Sequence, residues 1–185
     1  AFGLALLALG EDAVAEAVPE AGQRRLDPVD VAQVGTDRED HRAASIRRRI
    51  RATLESGALG RLNAVHCDFF VGAHFGGFRD QMEHVLLLDM AIHTLDAARF
   101  ISGKTPLAVY CHEANPQSSW YANGSVANAI FEFSDEVVFT YRGSWCAEGR
   151  RTSWESAWRL VGSKGMITWD GEEGFEATVA GDETG

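Results

Sequence analysis

The chain has 185 residues, of which 45% are apolar and 24% charged, with a formal net charge of −10. That length supports one domain with a real core, and the composition is that of an ordinary globular protein. Nucleic acid is excluded as a partner, because surfaces that bind phosphate backbones are basic.

Cys67, Cys111 and Cys146 are odd in number and widely spaced, with no C-x-x-C pair. They offer neither a disulfide framework nor a zinc site, and suit a reducing compartment. The opening "AFGLALLALG" is too short an apolar run to span a membrane. It also lacks the basic leader and small-residue cleavage site of a signal peptide, so a cytoplasmic protein with no membrane partner is expected.

Residues 1–42 form a poorly legible N-terminal segment, a remnant or linker. Within it "LALLALGEDAVAEAV" has helical character up to Pro19, and Gly, Pro and Asp scattered through residues 19–41 read as loop. Residues 43–185 read as a single α+β domain. "AASIRRRIRATLESGALG" is an amphipathic helix with Gly57 placed as its C-terminal cap. Its Arg47, Arg48, Arg49 and Arg51 resemble a phosphate-binding cluster, though a solvated helix face is the commoner meaning of such a run.

"RLNAVHCDFFV" follows as a strand, and "GAHFGGFRDQMEH" as a glycine-rich loop. "LLLDMAIHTLDAARFISG" is the next helix, stopping at Gly103 with Pro106 just beyond. Then come "PLAVYCHEA", "SVANAIFEFS", "EVVFTYRGSW", "ESAWRLVGS", "GMITWDG" and "GFEATVA". All are short, β-branched or aromatic segments separated by turn residues. The turns "SDE" and "SKG" are short enough to force antiparallel neighbours, and Asn123-Gly124 reads as a tight hairpin turn. The expected architecture is a mostly antiparallel open sheet, a strand meander, with helices packed on one face. "AIFEFS" and "VVFTYR" are expected to put aromatics on both faces, leaving an open face for a homo-oligomer to cover.

The chemistry-bearing residues cluster on the second helix. Asp89, His93 and Asp96 stand at i, i+4 and i+7, one stripe of an α-helix that is otherwise apolar. An imidazole with a pKa near neutrality suits proton abstraction from an alcohol, and a nearby carboxylate raises its basicity. The spacing is equally that of a structural Asp–His pair buried against the sheet. A metal site including His84 is disfavoured, because His84 lies off the stripe. The loop before the helix adds His74 and Arg79 among glycines that permit close approach; Arg79 could donate a fork to a hydroxyl or carboxylate, or simply face solvent. Trp120 and Tyr121, with Trp145 and Trp154, offer flat faces of the kind that stack on sugar rings, although strand aromatics are usually core. No G-x-G-x-x-G, P-loop, G-x-S-x-G or H-E-x-x-H occurs.

Taken together, "RRRIRATLESGALGRL", "LLLDMAIHTLDAARFISG" and "GSWCAEGRRTSWESAWRLVGSKGMITWDG" resemble the C-terminal domain of the glucose–fructose oxidoreductase / inositol dehydrogenase (Gfo/Idh/MocA) family. The second segment resembles that family's D-x-x-x-H-x-x-D helix, and the likeness spans roughly residues 43–180. It implies the substrate-binding and oligomerisation half of an oxidoreductase that moves hydride between a sugar, cyclitol or related polyol and NAD or NADP. By the matching positions, Asp89 and His93 would be the substrate-binding and acid/base pair. His74, Arg79, Trp120 and Tyr121 would be substrate contacts, and Asp96 would anchor the helix from behind. The family's lysine in a Glu-Lys-Pro motif has no match, since Lys104 and Lys164 are the only lysines. The family's N-terminal Rossmann domain has no match either. The chain by itself is therefore expected to bind no nucleotide cofactor and to be inactive. The competing expectation is a non-catalytic module for sugar binding or oligomerisation.

Overall fold

The computed structural model describes residues 7–8 and 37–181. The helical character expected over residues 4–18 lies outside them, except at Leu7–Ala8. Those two residues instead form a short strand, β1, facing Val109 and Ala108.

Helix α1 spans Asp37–Glu55, so it runs across the boundary expected between residues 42 and 43. Ala43, Ile46 and Ile50 recur every three or four residues and are buried, which puts one face of α1 on the core. The helix ends as expected at glycine: Gly57 adopts φ +76°, and its N–H donates to the Leu54 carbonyl at 3.1 Å.

Strand β2, Leu62–Phe70, buries Val65, Cys67 and Phe69 and turns His66 and Asp68 the other way, the period-2 pattern of a sheet with one covered face. After a loop and a second helix come β3 (Pro106–Ala114), β4 (Val126–Phe133), β5 (Val138–Ser144), β6 (Ala157–Gly162), β7 (Gly165–Trp169) and β8 (Phe175–Val179).

The strand order is β1-β3-β4-β5-β2-β6-β7-β8. Every neighbouring pair is antiparallel except β2 with β5, which run parallel. A simple meander is therefore corrected. Strand β2 is inserted between β5 and β6, because the chain leaves it through a helix and returns at the far side of β4. The hairpins at residues 134–136 and 163–164 do form as expected. Asn123-Gly124 does not make a tight hairpin; it lies in the connection from Asn115 to Ser125 between β3 and β4.

The aromatics are also arranged differently from the expectation. Phe131 and Phe133 of β4 share a face with Phe139 and Tyr141 of β5, and all four pack into the helix-side core. The opposite face carries Asn128, Ile130, Thr140 and Arg142. Alternation along each strand sends consecutive aromatics at i and i+2 to the same side, so both strands concentrate them on one face.

Candidate functional site

The loop after β2 positions the first group of candidate residues. In Phe75-Gly76-Gly77-Phe78, both glycines take positive φ, 70° and 71°, a conformation L side chains rarely adopt. The chain doubles back there and enters a 3₁₀ turn, Gly77–Gln81. Both phenylalanine rings are thereby brought to the Arg79 guanidinium, whose Cζ lies 5.1 Å from the Phe75 centroid and 4.9 Å from that of Phe78. Both rings are otherwise open, 41% and 64% exposed.

The helix that follows is not α-helical throughout. Leu86–Ala91 is a π-helical turn, and the α-helix proper, α2, runs from Ile92 to Ser102. Gly103 caps it in the left-handed region, at φ 64°. The uniform stripe expected from Asp89 to Asp96 is corrected accordingly, because a π turn changes the angle between successive side chains. Short π turns of this kind recur at functional sites. Leu86 and Ala91 anchor the π turn in the core, and Thr94, Ala97, Ala98 and Ile101 anchor α2.

Asp89 is half-buried, and both of its oxygens accept from Arg79 Nε, at 3.1 and 2.9 Å. His93, one turn later, is exposed, and among the described residues it takes no side-chain hydrogen-bond partner. It is not a histidine buried beneath the sheet. Leu88 and Ile92, 56% and 48% exposed, give these two polar residues an apolar rim. Asp96 is exposed and pairs with Arg99 at 3.6 Å, so it braces the helix surface and does not anchor the helix from behind.

His74, Trp120 and Tyr121 come together, but as a brace. The His74 ring stacks on Trp120 with centroids 3.6 Å apart, and its Nε2 lies 3.1 Å from Glu148 Oε1. Trp120 Nε1 donates to the Ala73 carbonyl at 3.0 Å, and the Tyr121 hydroxyl donates to the same oxygen. Tyr121 is buried and presents no face for stacking; burial pushes its phenol up to about 12. One face of Trp120 is covered by His74. The aromatic faces that remain open lie elsewhere on this side of the chain.

The open aromatic surface is formed by Phe75, Phe78 and Trp154. Trp154 is 52% exposed and sits 6.2 Å from Phe75 and edge-on to buried Trp145 at 5.7 Å. The signal that could have found Phe75 and Phe78 was the symmetric Phe-Gly-Gly-Phe directly before Arg79.

Other candidates resolve more simply. Arg47 pairs with Glu155, Arg51 with Glu55 at 2.7 Å, and Arg49 lies over the Phe175 ring, so these three arginines of α1 are engaged groups. His84, at φ 53°, pairs with Glu113. Lys104 pairs with Asp135 at 2.6 Å. Among the described residues no group of three or more His, Cys, Asp or Glu side chains is arranged to hold a metal. No described helix is long and apolar enough to cross a membrane.

A nicotinamide dinucleotide needs a glycine-rich turn at a free helix N-terminus to receive its pyrophosphate. The described residues do not fit it. α2 continues directly out of the π turn and so offers no free N-terminus.

Residues 47–168 match the family model described as the GFO/IDH/MocA C-terminal domain. An uncharacterized protein, y4oX, of Sinorhizobium fredii is 27% identical over 138 residues, which is 72% of this chain and 38% of that protein. Among solved structures, an oxidoreductase from Agrobacterium radiobacter in complex with NAD+, L-tartaric acid and magnesium superposes with TM-score 0.63 at 22% identity, over 76% of this chain and 44% of its own. An aldose-aldose oxidoreductase from Caulobacter crescentus complexed with glycerol gives TM-score 0.61 at 21% identity, over 78% and 44%. An inositol dehydrogenase homolog from Azotobacter vinelandii complexed with NADH and myo-inositol gives 0.60 at 16%, over 79% and 42%. The chain thus spans less than half the length of these relatives. With a matched model over most of its residues and this sheet-and-helix architecture, the chain belongs to the GFO/IDH/MocA C-terminal domain family.

Proposed function

We propose that this chain is the substrate-binding and proton-handling half of an NAD(P)-dependent oxidoreductase acting on a sugar, cyclitol or related polyol, and that it is inactive alone. The observation that carries this reading is the exposed His93 one turn beyond the Asp89–Arg79 pair, on a helix whose opposite face is buried in the core. His93 takes the proton from the substrate hydroxyl while the carbon gives up its hydride elsewhere. Asp89 holds Arg79 and lends negative potential to the site. The half-open rings of Phe75, Phe78 and Trp154 receive the C–H face of the polyol. Similar structures in complex with glycerol, myo-inositol or L-tartaric acid support the polyol class. The nicotinamide belongs to protein outside the described residues. A complete protein carrying His93→Ala, assayed for polyol-dependent NAD(P)H formation, tests the assignment: unchanged turnover would reject it.

The alternative, a non-catalytic oligomerisation module, draws on a separate observation. The sheet face opposite the helices is a trough of about 950 Å³ holding His66, Asp68, Arg142, Arg159 and Glu176. Charges of both signs line it, with the Asp68–Arg142 fork at 2.7 and 2.5 Å already closed. We infer a homo-oligomer assembled through this face. That assembly is compatible with the oxidoreductase reading, because the two use opposite sides of the sheet.

A further inference from the structure

The polyol reading leaves the outer edge of Arg79 unused. We propose that this edge is a recognition fork for a carboxylate, and that the substrate is a carboxylate-bearing polyol such as an aldonate or uronate; the inference rests on the polyol reading above.

A guanidinium has five N–H donors arranged in a planar fork. A two-nitrogen ion pair normally consumes one whole edge of it. Here Asp89 takes only Nε–H, which it shares between its two oxygens at 3.1 and 2.9 Å. The edge formed by the two terminal amines remains intact, and among the described residues no acceptor lies within hydrogen-bonding distance of it. Two parallel N–H donors on one edge are the complement of a planar carboxylate.

The fork is also fixed before any ligand arrives. Phe75 and Phe78 cover the guanidinium at 5.1 and 4.9 Å, and the positive φ of Gly76 and Gly77 lets the chain fold back to place them. The Arg79 side chain is only 34% exposed, although both clamping rings are open to solvent. Ordering a flexible arginine during folding spares that entropy on binding. The two rings shield the guanidinium from water and leave its terminal amine edge for hydrogen bonds.

A phosphate fits less well. Asp89 already neutralises Arg79, Asp80 is adjacent in sequence, and no second cation joins the pair among the described contacts. A monoanion with two coplanar oxygens needs only the one fork. Trp154, tilted against Phe75 at 6.2 Å, extends the apolar wall on which the hydroxylated carbons would lie.

The test is an NMR titration of the full 185-residue chain with D-gluconate, with D-glucitol and with D-glucitol 6-phosphate. The first two share a carbon skeleton and differ in carboxylate against hydroxymethyl. Gluconate should shift the Arg79 Nε–H and Trp154 indole resonances and bind about tenfold or more tightly than glucitol, the usual worth of a charge-assisted hydrogen bond. Arg79→Lys, which keeps a cation for Asp89 but loses the fork, should erase that preference. If the lysine variant does not fold, the ratio measured on the unmodified chain and the resonances it moves still decide. Equal binding of gluconate and glucitol overturns the carboxylate assignment and leaves the polyol reading standing. Tighter binding of the phosphate overturns it as well. No response to any of the three overturns both.

Discussion

Arg79 Nε donates to both carboxylate oxygens of Asp89, across ten residues of chain, from the 3₁₀ turn Gly77–Gln81 to the π turn Leu86–Ala91. The pair fixes what Asp89 does. Its oxygens face a guanidinium, so its influence on His93 is through potential and not through a direct bond. The carboxylate is the more buried partner, with its side chain 17% exposed against 34% for Arg79. That asymmetry makes the pair vulnerable from one side.

Asp89→Ala should destabilise the chain by about 1–2 kcal/mol, more than an exposed ion pair contributes, because it leaves a clamped cation without its partner. Arg79→Ala should cost a similar amount, and the double variant should cost less than the sum by about 1 kcal/mol. Urea unfolding midpoints of the four proteins measure the coupling; strict additivity would show that the pair is only a crystal-like proximity with no energetic content.

His93→Ala should behave in the opposite way. An exposed side chain without hydrogen-bond partners changes stability by less than about 0.5 kcal/mol. In a complete protein the same change should lower turnover about 10²- to 10⁴-fold, the usual contribution of a positioned acid/base group. A melting curve and a steady-state assay on the same preparation separate the two effects.

Nucleotide should not bind this chain with useful affinity. Without a glycine turn at a helix N-terminus, NAD(H) or NADP(H) is expected to bind no better than about millimolar. Calorimetry with the chain alone checks this, and a micromolar constant would require a dinucleotide site that the described residues do not contain.

The trough face gives a prediction about assembly. Ile130, 52% exposed among polar neighbours, is the largest aliphatic side chain there. Ile130→Glu should dissociate an oligomer built on this face while leaving the helix-side core intact. Light scattering at tens of micromolar protein should show more than one copy for the unmodified chain and one for the variant.

Alkaline pH should unfold the chain early. Burial raises the Cys67 thiol and the Tyr141 phenol well above their ordinary ranges, and pushes Tyr121 from 10.0 to about 12. The folded chain therefore holds protons that the unfolded chain releases, so stability falls as pH rises. The loss begins near pH 9, where an unfolded cysteine titrates. It steepens from 10.0 to about 12 as unfolded tyrosines ionise while Tyr121 does not. Melting temperature against pH should show this slope, and Tyr121→Phe should reduce it.

Much of this was settled by periodicity. The three- and four-residue spacing of Ala43, Ile46 and Ile50, and of Thr94, Ala98 and Ile101, fixed two helices and the faces they bury. Gly57 and Gly103, at φ 76° and 64°, ended them where a left-handed residue was needed. Alternation in the strands fixed an open sheet, and the acid–histidine spacing on the second helix marked the family. These are local properties, set by backbone geometry over a few residues, and a sequence displays them directly.

What tertiary structure alone decided was which residues meet across the chain. Asp89 chose Arg79 because the chain between the 3₁₀ turn and the π turn, with His84 at φ 53°, brings the two together, a path that no periodicity encodes. Trp120 and Tyr121 became braces on the Ala73 carbonyl because the connection from Asn115 to Ser125 packs over the β2 exit, which left Phe75, Phe78 and Trp154 as the open aromatic surface. β2 lies between β5 and β6 because the helical crossover returns the chain three strands away, at β3. Each outcome depends on contacts distant in sequence, where the energy of burying a side chain is won or lost only after the whole sheet has formed.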